Sequence, residues 1–137
     1  MATREDQRQI FKNFSYMSAN FFKDELIINN PFLDGDAFFK YLHQKLASSK
    51  EKIVMVFDEL TYLIEKDLSL LSAFQKYYDG YFKEMNIFMI ITGSLIKIVR
   101  NDLLNYNSPI YGRKTGNIEL KEMDFSDLRF FLEKIEA

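Results

Sequence analysis

Two short apolar runs organise the chain: Ile53-Val54-Met55-Val56-Phe57 and Ile87-Phe88-Met89-Ile90-Ile91. Each is uninterrupted and carries β-branched residues, the pattern of a strand buried on both faces of a parallel sheet. Elsewhere the apolar positions follow helical spacing. Phe38, Phe39, Leu42 and Leu46 mark a helix that Asp34-Gly35-Asp36 caps. Ile64, Leu68, Leu71, Phe74, Tyr78 and Tyr81 mark one face of a long helix starting near Asp67. Another helix is expected over residues 95–104, and Phe125, Leu128, Phe131, Leu132 and Ile135 mark the last. The polar stretch Met1 to Lys12 predicts a short, frayed helix. The alternation Phe14-Ser15-Tyr16-Met17-Ser18-Ala19 predicts a strand, as does the short segment Ile118 to Leu120. Asn29-Asn30-Pro31 reads as a turn and residues 105–116 as a loop.

Strands alternating with helices predict βαβ units, hence an α/β fold with a parallel sheet sandwiched by helices. Internal repeats, low-complexity tracts and linkers are absent, so a single domain over residues 1–137 is expected.

Composition narrows the function classes. The chain is 47% hydrophobic and 28% charged, which suits a soluble globular domain rather than a disordered one. Its 14 Phe and 8 Tyr are spread along the chain, as core aromatics are. The net charge of -2, with no basic block, leaves no electrostatic footprint for nucleic acid. The absence of cysteine excludes disulfides, thiol nucleophiles and cysteine zinc sites, and fits a cytoplasmic location. His43 stands alone on a helix, where a structural or exposed role is expected. No run approaches the roughly 20 apolar residues of a membrane span, and the polar N-terminus is no secretory signal.

The candidate chemistry sits where the runs end. Asp58 and Glu59 follow the first, at the carboxyl end of a parallel strand, where open α/β sheets bind ligands. One acid there can hold magnesium through water and the next can orient an attacking water. Equally, acids suit the positive end of a following helix. The second run ends in Thr92-Gly93-Ser94, about 5 Å away laterally if the strands are neighbours. Arg113, in an irregular loop between Gly112 and Gly116, can reach a phosphate with a bidentate fork or pair with a nearby acid.

Taken with Leu63, Ile90 to Ser94, Asn107 to Gly116 and Ile118-Glu119-Leu120, the acid-ended strand resembles the archaeal ATPase family. That family is an AAA-like, signal-transduction (STAND) branch of the P-loop nucleotidases. The likeness runs from about Phe14 to Leu132, and the segment Ser108-Pro109-Ile110-Tyr111-Gly112-Arg113 is its most specific part. The resemblance implies ATP and magnesium as cofactors. It makes Asp58 the Walker B acid, supporting magnesium through water, and Glu59 the catalytic glutamate. Thr92 or Ser94 would take the sensor position, and Arg113 matches the first arginine of a family Gly-Arg-Arg.

Departures accompany the likeness. Leu60 and Thr61 stand where the family has an aromatic and a glutamine, and Lys114 replaces the second arginine. No Gly-x-x-x-x-Gly-Lys-Ser/Thr occurs. The resemblance therefore implies a partial core without its first strand, phosphate loop and first helix. Without that loop the two acids meet an anionic ligand with nothing to offset repulsion, so ATP binding by the chain alone is expected to be weak. The absent strand would leave Ile87 to Ile91 as an apolar edge, open to a protein partner or to self-association. Two other classes stay open: a non-catalytic α/β interaction module, and a metal-dependent phosphoesterase or nuclease built on Asp58 and Glu59. The last has least support, because no further acids or histidines show metal-ligand spacing.

Overall fold

The two apolar runs form the strands they predict, β1 (Ile53–Phe57) and β2 (Ile87–Ile91), paired in parallel with Ile53 opposite Ile87 and Phe57 opposite Ile91. A computed structural model describes residues 4–67, 69–93, 110, 112–122 and 124–133. Among the described residues, α1 (Arg4–Phe22), α2 (Leu26–Asn29) and α3 (Gly35–Leu46) precede β1, while α4 (Leu60–Lys66), α5 (Ser69–Gly80) and a 3-10 turn (Phe82–Glu84) connect it to β2. A last helix, α6 (Phe125–Glu133), closes the described chain. The mixed α/β class is as expected.

Burial of the sheet differs from expectation. Ile53, Met55 and Phe57, with Ile87, Met89 and Ile91, pack on the helical core. Val54 (57% exposed), Val56, Phe88 and Ile90 point the other way and remain open to solvent. The continuous apolar runs predicted burial on both faces, but among the described residues only one face is covered. Apolar composition reports what a face is suited to meet, not what is there to meet it.

Residues 14–19 are helical, not a strand. Phe11, Ser15, Ser18 and Ala19 are all buried, a spacing of four, three and one that belongs to a helix face. The small serines, which gave the appearance of alternation, are the positions where α1 packs closely. Ser15 Oγ donates to Phe11 O (2.7 Å) and accepts from Phe32 N (2.8 Å), so its burial leaves no polar atom stranded.

The α3 helix forms as its sequence signals. Asp34 Oδ1 accepts from Ala37 N at 2.8 Å, capping the first turn, and Phe38, Phe39, Leu42 and Leu46 are buried. The helix expected to start near Asp67 forms as α5 (Ser69–Gly80), but Ile64, read as part of its face, belongs to the separate helix α4 (Leu60–Lys66). Asp67 is extended and ends α4, and its Oδ1 accepts from both the amide (2.9 Å) and the hydroxyl (2.6 Å) of Ser69 to start α5. An Asp-x-Ser cap therefore overrides a helical period that runs through it. Leu68, and the helix expected over residues 95–104, lie outside the described residues. Ile118 to Leu120 is unpaired rather than a strand, with Ile118 and Leu120 89% and 92% exposed.

The core is aromatic. Phe39, 1% exposed, has the rings of Phe38, Phe57, Phe74, Tyr77 and Phe82 within 5.0 to 6.2 Å. Each such pair adds about 0.5–1.5 kcal/mol beyond its burial. Phe57, the last residue of β1, belongs to this cluster, so the end of the strand is fixed from beneath. His43 stacks on Tyr81 with ring centroids 4.0 Å apart, the structural place expected of it.

Candidate functional site at the strand ends

The carboxyl ends of β1 and β2 are tied together by one residue, Thr92. Its amide donates to Phe57 O (2.9 Å) and its carbonyl accepts from Leu60 N (3.0 Å). Its hydroxyl donates to Asp58 Oδ1 (2.5 Å) and accepts from Glu59 N (3.0 Å). All the hydrogen-bonding groups of Thr92 thus hold the segment Phe57 to Leu60. The bond to Asp58 has a charged acceptor, the stronger kind.

Glu59 sits at the turn between β1 and α4 with φ 51° and ψ 42°, the left-handed region. A non-glycine residue there costs about 1–2 kcal/mol and persists only where its surroundings impose it. Here the Thr92 hydroxyl accepts from the Glu59 amide, the Thr92 carbonyl accepts from Leu60 N, and the Glu59 carbonyl accepts from Tyr62 N and Leu63 N. Asp58, Glu59 and Thr92 are all exposed, so the acids meet solvent rather than a closed cavity. The structure thus brings together three of the sequence-derived residues: Asp58, Glu59 and Thr92. Ser94 lies outside the described residues.

Arg113 is placed differently. Its guanidinium engages Asp79 on α5 by two bonds, Nε to Oδ1 at 2.7 Å and Nη2 to Oδ2 at 2.5 Å. The pairing holds the Asp79 carboxyl below its ordinary range, chiefly through that hydrogen bond, and pushes the guanidinium up. Tyr78 OH donates to Arg113 O (3.2 Å), Arg113 N donates to Ile110 O (3.1 Å), and Ile110 itself is buried in the core. The loop is held to α5 at Asp79 and Tyr78 and to the core at Ile110. Sequence reasoning left open whether this arginine meets a phosphate or an acid; it meets an acid. Asp79 was not singled out, and the signal for it was faint. It is the only acidic residue of α5, but its partner lies 34 positions further along the chain, a separation that no local pattern reports. Ile110, an apolar residue in an otherwise polar loop, was the better clue to an anchored segment.

Among the described residues no three His, Cys, Asp or Glu side chains converge as a metal cage. Nor is any described helix long and apolar enough to cross a membrane.

Comparison with known proteins bears on this arrangement. A family described as an ATPase domain predominantly from Archaea matches residues 2–136. An uncharacterized protein of Methanocaldococcus jannaschii is 37% identical over 101 residues, 74% of this chain and 21% of that protein. A second uncharacterized protein of the same organism is 39% identical over 56 residues, 41% of this chain and 52% of that protein. The chain thus spans about a fifth of one relative and half of the other. No solved structure matches it at comparable significance.

Proposed function

Because the chain belongs to the family of ATPase domains found predominantly in Archaea, we propose that the joined ends of β1 and β2 are the hydrolytic half of a magnesium-nucleotide site. Asp58 would hold the ion and Glu59 would orient the attacking water, with Thr92 holding both acids in place. The observation that carries this reading is the Thr92 hydroxyl, shared between the Asp58 carboxylate and the Glu59 amide.

A single carboxylate backed by a hydroxyl suits magnesium. That ion keeps several of its waters and takes one or two carboxylates together with substrate phosphates, rather than an all-protein cage. When bound it supplies positive charge against the phosphates. Asp58 is the residue that would hold it. Arg113 enters this reading only by exchanging Asp79 for a phosphate. The sequence contains no glycine-rich phosphate loop, so these 137 residues alone hold nucleotide weakly.

Residue-resolved NMR suits binding of that strength. Magnesium-ATP titrated into the 15N-labelled chain should shift the Asp58, Glu59 and Thr92 amides with a midpoint of about 1 mM or above. Asp58→Asn should remove the magnesium dependence. Shifts confined to other residues would overturn the assignment. Micromolar binding would overturn the claim of weakness.

The uncovered apolar face of the sheet favours a second reading, a protein-interaction module without catalysis. The two readings separate on Glu59→Gln. It removes hydrolysis in the first and leaves partner capture unchanged in the second, where Val56→Lys is the damaging change.

A further inference from the structure

Among the described residues, two features lack partners, and each has the form the other needs. The first is the outer edge of β2. Ile53 N donates to Asn86 O and Thr92 N to Phe57 O, which sets the phase of the ladder. Phe88 and Ile90 therefore turn their backbone groups toward β1, while Met89 and Ile91 turn theirs to the opposite edge. No described strand lies along that edge. The core-facing side chains of Ile87, Met89 and Ile91 are only half-buried, as expected of a row that stops short. The edge carries no charge, proline or bulge, the devices that normally protect one. The two strands found among the described residues are also fewer than the three that independent stability usually needs.

The second is Ile118-Glu119-Leu120. Its two apolar side chains are among the most exposed in the molecule, and the segment belongs to no helix or sheet. Its alternation is that of a strand with one apolar face.

We propose that Ile118 to Leu120 of one copy adds to the outer edge of β2 in a second copy, with the exchange made reciprocally about a two-fold axis. In its own chain the segment is almost fully exposed, so it does not fill its own edge. A second copy is the occupant that satisfies both features at once, and a reciprocal exchange closes rather than propagates. Period two puts Ile118 and Leu120 on the half-buried side with Met89 and Ile91, and Glu119 on the open side. On that open side the Lys52 ammonium stands 5.4 Å from the Phe88 ring centroid, a positive charge on the face that Glu119 would join. The inference is independent of the nucleotide reading, since it uses neither Asp58 nor Glu59.

The test is light scattering on the whole chain across a concentration series, with the double variant Ile118→Asp, Leu120→Asp beside it. Both positions are about nine-tenths exposed, so the variant keeps the monomer fold, which circular dichroism verifies. Expected is a wild-type mass rising to twice 16.3 kDa. The variant's dissociation constant should be higher by about tenfold or more. A wild-type chain that stays monomeric throughout overturns the proposal. So does a variant that dimerises as tightly as the wild type, which would place the interface elsewhere.

Discussion

Arg113 and Asp79 face each other as fork and fork, with guanidinium Nε and Nη2 each on a separate carboxylate oxygen at 2.7 and 2.5 Å. The arginine side chain is 21% exposed and the aspartate 47%, so solvent screens the pair only in part. Asp79→Asn should cost about 1 kcal/mol in urea unfolding near neutral pH, the upper range for a partly exposed pair. The folded carboxyl titrates below its ordinary value of 3.8. Its contribution is therefore complete above that value and is lost as acid carries the pH down through the folded one. The gap between wild type and Asp79→Asn should close in that window.

Thr92→Val keeps shape and removes the hydroxyl. The Asp58 carboxylate then loses a donor and the Glu59 amide an acceptor, at a cost of about 1–2 kcal/mol at this exposed site. Amide exchange at Glu59 should speed up, and Thr92→Ser should restore it. Equal exchange rates in the wild type and Thr92→Val would remove the role given to that hydroxyl.

Glu59→Gly should raise stability, by about 0.5–1 kcal/mol, because glycine occupies the left-handed region without strain. In the proposed function the same change abolishes hydrolysis. Thermal unfolding of the chain, and turnover once a phosphate loop completes the site, should therefore move in opposite directions. A loss of both would show that the glutamate side chain, not its backbone, holds the turn.

Gly35 opens α3 against α5. A Cβ there would lie 3.1 Å from Leu70 Cδ1 and 3.3 Å from both Leu70 Cα and Ala73 Cβ. Two of those three neighbours are backbone or a methyl with nowhere to turn. Gly35→Ala should destabilise by about 1–3 kcal/mol, measured by urea unfolding.

Tyr41 is held neutral by burial, with the nearby Asp24 carboxylate adding to the effect; its hydroxyl is pushed up to about 12. The folded value lies above the ordinary 10.0, so stability from this group is complete below that value and fades as pH rises through the folded one. Ultraviolet titration should show a late phenolate phase that Tyr41→Phe deletes. Titration of every tyrosine near the ordinary value would contradict the burial.

What the sequence disclosed and what it concealed divide along a physical line. Short-range patterns were readable: the apolar runs of β1 and β2, the Asp34 cap, the face Phe38 to Leu46, and the acids waiting at a strand end. Serine at 15 and 18 was misleading, because a small residue looks polar in a pattern and packs like a core residue between helices. The helix start near Asp67 was readable, but Ile64 continued the apolar period upstream of it and so was assigned to the wrong helix. The exposed sheet face was not readable at all, because what covers a surface is a property of other segments. At the site, the convergence of Asp58, Glu59 and Thr92 followed from strand adjacency, whereas the attachment of Arg113 to Asp79 depends on a loop path that no period encodes.

The four bonds made by Thr92 have a mechanical corollary. Amide, carbonyl and hydroxyl together leave the acidic turn no travel of its own relative to the tip of β2. Any tug on the chain beyond Gly93 is delivered to Asp58 and Glu59 as displacement rather than absorbed as slack. A strand tip built this way is a linkage rod, and the acids ride on it.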